Sequence, residues 1–102
     1  MVSESPYRGA APAPSTQIVV TTGPDVPGFR ITHVLAVVHG VAMRPTGAAH
    51  AVARATRETA AVRLLEEARG LGANAIIGMA YDSTTEEVCA YGTAVRITEW
   101  RP

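Results

Sequence analysis

Cysteine is almost missing from this chain: Cys89 is the only one in 102 residues. That excludes an internal disulfide, and it excludes a zinc site made of cysteines from one subunit. No apolar run approaches the ~20 residues that cross a bilayer as a helix. The alanines near the start are interrupted by Pro6, Pro12 and Pro14 and follow no basic-then-apolar leader pattern. Neither charge is in excess, since nine basic and nine acidic residues give a formal net charge of zero. The basic footprint of a nucleic-acid binder is therefore absent, as is a polybasic membrane patch. No internal repeat is visible. Trp100, the single tryptophan, stands near the end, a place better suited to an edge or interface residue than to a cofactor platform. The expectation is a soluble cytoplasmic protein with no nucleic-acid or membrane partner.

What is present organises into one domain. Residues 1–16 are rich in Pro, Ala and Ser and read as a disordered tail, leaving 17–102 as a single folded unit. At that size burial is marginal, and association with copies of itself is a common way to bury more surface.

The most telling stretch is LLEEARGLGANAIIG, residues 64–78, where a helix ends and a covered strand begins. Leu64, Leu65, Ala68 and Leu71 recur at helical spacing. Gly70 and Gly72 offer positions where a positive φ is cheap, and the run from Ala75 to Tyr81 is continuously apolar. Upstream, residues 17–22 form a short β-branched run and residues 29–42 a longer one, separated by the turn chemistry of Gly23-Pro24-Asp25-Val26-Pro27-Gly28. Thr46 is a candidate N-cap for a helix over residues 48–69. Strands over 74–82 and 87–98 make a terminal hairpin. The order β-β-α-β-β predicts an α+β two-layer sandwich, with one long helix lying on an antiparallel sheet.

Two apolar seams run along the predicted helix. Ala53, Ala60, Ala61, Leu64, Leu65, Ala68 and Leu71 are assigned to the subunit's own sheet. Ala48, Val52, Ala55, Thr59 and Val62 lie nearly opposite, which points to a second covered side, with Val52, Ala55 and Val62 as oligomer-interface residues. The plainer reading is that Ala and Thr are ordinary surface residues.

Three segments together resemble a known family: ITHVLAVVHG, EEARGLGANAIIG and YGTAVRI. The matching residues include Thr21, Thr22, Ile31, Val37, Val38 and Gly40, then Glu67, Ala68, Leu71, Gly72, Ala73, Asn74, Ala75 and Gly78, then Gly92 to Val95. They are similar to the YbjQ-like family, labelled "putative heavy-metal-binding". The resemblance implies a dodecin-like α+β subunit that assembles into a ring-shaped homopentamer without an established reaction. The chain departs from the family between the second strand and the helix, where a longer insertion is usual. It also has His39 where Ser or Thr is common and Val41 where Glu is common.

Candidate chemistry is sparse. His33, His39, His50 and Cys89 are acceptable metal ligands, yet no Cys-x-x-Cys, His-x-x-x-His or Glu-x-x-His pattern joins them. His33 and His39 are expected on one strand face about 20 Å apart, too far for one ion. No metal is expected within a subunit; only copies of His39 meeting on a ring axis would make a site. Cys89 keeps company with Tyr91, Thr93, Val95 and Ile97 at strand spacing, and Glu86 and Glu87 nearby disfavour its thiolate. The Gly70-Leu71-Gly72 segment closes a helix instead of opening one, the wrong polarity for a phosphate loop. The start of the helix, with Arg44 adjacent, has the right polarity for an anion, although a plain N-cap is the commoner explanation. Tyr81, Tyr91, His39 and Arg44 are the candidates for an inter-subunit ligand groove. The expected protein is a non-enzymatic homo-oligomeric binding or scaffolding module without cofactor, its partner being itself and its ligand a small molecule if any. The alternative is a small enzyme or metal-handling protein whose site is composed between subunits.

Overall fold

A computed structural model describes residues 17–45 and 50–100, with the side chains of residues 50–52 outside that description. The expected tail, the Thr46 cap, Ala48 and the side chains of His50 and Val52 therefore lie outside the described residues. The elements are β1 (Val19–Val20), β2 (Phe29–Met43), α1 (His50–Gly70), β3 (Ala75–Ser83) and β4 (Glu87–Glu99). They form a four-stranded sheet in the order β1-β3-β4-β2 with α1 against one face. The α+β sandwich read from the sequence is the fold observed. The sheet is antiparallel through β3, β4 and β2, and mixed overall, because β1 adds a short parallel pair, Val19 to Ala75 and Val20 to Ile76. β1 is shorter than expected. Beyond Val20 the chain leaves strand geometry but stays bonded to β3, Thr21 donating to Ile76 and accepting from Met79.

β4 is the central, regular strand, and its alternation sorts the sheet into two faces. Val88, Ala90 and Ala94 are buried under α1 beside Val38 and Ala42 of β2 and Ile76 of β3. From the helix, Ala60, Leu64 and Ala68 complete this core. Burying a side chain such as Leu64 is worth about 1.5–3 kcal/mol, and most of its neighbours are alanines, so the two layers sit close. Gly40 marks the closest approach: a Cβ there would run into the backbone of Ala60, Arg63 and Leu64. The opposite face is covered only at one end, where Val26 of the 21–28 loop packs with Ala75, Val95 and Ile97.

The first helical seam is largely as expected, with one correction. Leu71 is 47% exposed because α1 stops before it. Gly72, at φ +82°, turns the chain in a Schellman arrangement in which Ala73 donates to Ala68 and Gly72 to Arg69. Thr56, assigned to neither seam, is buried and extends the 60, 64, 68 row by one step of four. On the second seam, Ala55, Thr59 and Val62 are exposed, Val62 at 53%.

Candidate functional surface

Asn74, in the junction between helix and strand, is structural. Its side chain accepts from the Ile97 amide at 2.7 Å and donates to the Ile97 carbonyl at 3.0 Å. Just before β3 begins, the amide side chain thus acts as one more rung of the β3–β4 ladder. Arg96 donates to the Gly72 carbonyl at 3.0 Å, holding the turn from the other side. These contacts explain the Leu-Gly-Ala-Asn-Ala order without any ligand.

The exposed half of the sheet's outer face carries the residues that remain to be explained. In β2, Val37, His39, Val41 and Met43 share that face; in β4, Cys89, Tyr91 and Thr93 lie opposite them. His39 stands directly across from Tyr91, and Val41 across from Cys89. Asp82 of β3 is Cys89's other neighbour. Val37 and Met43 are 63% and 65% exposed. Burial raises the Cys89 thiol above its ordinary range, with the charges of Glu87 and Asp82 adding to it. The environment holds the sulfur as a thiol and works against a nucleophile.

The histidines fall differently from expectation. A register shift between Val34 and Ala36 inserts an extra residue into β2, reversing which face subsequent side chains occupy. His33 consequently pairs with Arg96 and His39 with Tyr91, on opposite faces of the sheet. Among the described residues no three His, Cys, Asp or Glu side chains come together in a way that could hold a metal ion. The residues present thus do not fit a metal centre within this part of one subunit.

The four candidate ligand residues do not converge either. His39 and Tyr91 are neighbours on the outer face, whereas Tyr81 pairs with Ala90 and belongs to the helix side. Arg44 lies past the end of β2, its amide donating to the Glu86 carbonyl at 2.7 Å. Its Nε is buried without a hydrogen-bond partner among the described residues. A cavity of about 360 Å³ opens between the end of β2 and α1, lined by Ala42, Met43, Pro45, Ala55, Thr56, Thr59 and Arg63. Arg63, which no sequence signal singles out, and Glu67, one of the residues of the family resemblance, reach over the free edge of β2. Glu67 accepts from the His39 amide at 2.7 Å, and Arg63 donates to the Val41 carbonyl at 2.6 Å. No helix of the described residues is long and apolar enough to cross a membrane.

A helix on one face of a sheet whose other face is half open defines a small α+β domain. The chain belongs to the YbjQ-like family. The family profile described as "Putative heavy-metal-binding" matches residues 46–98. A UPF0145 protein of Streptomyces griseus is 34% identical over 116 residues, covering 91% of this chain and 95% of its own length. One from Burkholderia thailandensis is 36% identical over 101 residues, covering 76% and 91%. One from the archaeon Saccharolobus islandicus is 29% identical over 109 residues, covering 84% and 96%. A crystal structure of a DUF74-family protein of unknown function from Pediococcus pentosaceus shares the fold at TM-score 0.57 and 21% identity, covering 79% of this chain and 98% of that one.

Proposed function

We propose that this protein is a homo-oligomeric binding or scaffolding module, ring-like and pentameric as the family resemblance implies, working in the cytoplasm without a reaction of its own. The observation that carries this reading is the uncovered outer face of β2, where Val37, Val41 and Met43 stand exposed in a row beside Tyr91. An apolar sheet face of that kind, on a domain of marginal size, is what association with further copies would cover. The exposed helical positions Ala55 and Val62 offer a second contact. Native mass spectrometry of the untagged protein, with light scattering at micromolar concentration, tests the reading. The expected result is one discrete particle several times the subunit mass; a stable monomer overturns it.

The composite-site alternative is favoured by one observation, the His39–Tyr91 pair on that same exposed face. Assembly would bring copies of the pair towards one another, and His39 is a metal ligand type. Near-stoichiometric transition metal in elemental analysis, lost on His39→Ala, would promote this reading over the first.

A further inference from the structure

β2 is an edge strand of 15 residues, long enough to template pairing with any extended chain. Its backbone groups show which positions are open. The His39 amide bonds to Glu67 and the Val41 carbonyl to Arg63, so both point away from β4. In an antiparallel ladder such residues alternate with those bonded to the partner strand. The register is regular from Ala36 to Met43, which makes 37, 39, 41 and 43 the outward set. The earlier half of the strand is interrupted by the shifts between Ile31 and His33 and between Val34 and Ala36, and bulges blunt an edge. Only the regular half remains a flat template, and Arg63 and Glu67 lie across its middle.

The two side chains stand four residues apart on α1, so both project towards the same edge. Gly40 lets the helix backbone come close enough for short bonds to strand positions two apart. We propose that Arg63 and Glu67 form a clasp that closes the edge of β2 to strand addition. Open-ended strand addition along this half of β2 is thereby suppressed. The clasp operates whatever the number of copies, so it does not rest on the pentameric reading.

Four variants test it: Glu67→Gln, Glu67→Ala, the double variant Arg63→Ala/Glu67→Ala, and that double variant carrying Val41→Pro in addition. The glutamine keeps an acceptor for the His39 amide. Proline at 41 removes an outward N–H without breaking a β2–β4 bond. In hydrogen exchange, the His39 amide should be protected in the wild type and in Glu67→Gln, and should exchange faster in the double variant. Sedimentation should show one discrete species for the first two proteins. The double variant, with near-native circular dichroism, should grow with concentration into a broad distribution bearing an intermolecular β-sheet infrared band. Adding Val41→Pro should abolish the broad distribution and its infrared band. A folded double variant that keeps the wild-type size distribution overturns the proposal. So does growth that Val41→Pro fails to suppress, because the larger species would then arise by another route. If the double variant does not fold, unchanged His39 exchange in the single variant Glu67→Ala overturns it instead.

Discussion

Single residues in this protein are constrained more by backbone proximity than by chemistry. Gly40 is the sharpest case, since the atoms its Cβ would meet are helix backbone and cannot rotate aside. Gly40→Ala should destabilise the fold by about 3 kcal/mol or more, at the upper end of overpacking effects, as read by urea denaturation. Asn74→Ala should cost ~2 kcal/mol, because it strands the amide and carbonyl of Ile97. Cys89 tests electrostatics separately. Its folded-state pKa is raised by burial, Glu87 and Asp82, so the native state holds the thiol proton more tightly than the unfolded chain does. Alkylation of the native protein at pH 8 should therefore be slower than in denaturant. By linkage, the stability contributed by this group is complete below the unfolded thiol pKa and is lost as pH rises through the folded value. A native alkylation rate equal to the denatured one would refute this account.

At the scale of elements, α1 has two sides with different work. Leu64 is buried among Val38, Ala60 and Ile76, and Leu64→Ala should cost ~2–5 kcal/mol. Val62 is exposed, so Val62→Asp should leave the melting temperature of the subunit nearly unchanged while reducing the particle mass in light scattering. An unchanged mass would make the second seam ordinary surface. The helix was legible because leucines and alanines recur at steps of three and four, and its end was legible from Gly72. Leu71 was misplaced because periodicity does not register a Schellman turn, which rotates the next side chain outward. Thr56 sits at the right spacing for the 60, 64, 68 row, but its hydroxyl reads as polar and only the packing shows it buried. The two histidines were misassigned for a related reason. A bulge changes the face of every later residue in the strand, and nothing in the local composition of Val34-Leu35-Ala36 announces it.

The described residues span 54 × 27 × 20 Å, and the long axis is about the length of 15 strand residues at ~3.3 Å each. A subunit of that shape leaves a large share of β2 uncovered, which is why assembly is the property worth measuring first. Its candidate surface was only partly readable beforehand. Within one copy His39 and Tyr91 are cross-strand neighbours, whereas Tyr81 lies on the helix side and Arg44 beyond the end of β2. The Arg63–Glu67 clasp could not be read at all. Spacing shows that two charged residues share a helix flank, but it does not show what lies beneath them.

By itself the sequence determined the element order, the helix end and the exclusion of an internal disulfide, since these follow from local propensity, periodicity and composition. Tertiary structure decided the rest. It placed β2 at the edge, β4 at the centre and β1 parallel to β3, because strand order depends on which edges pair and not on any one strand's residues. It also decided which charges meet free backbone, because a contact between residues more than 20 positions apart exists only once the helix has packed on Gly40.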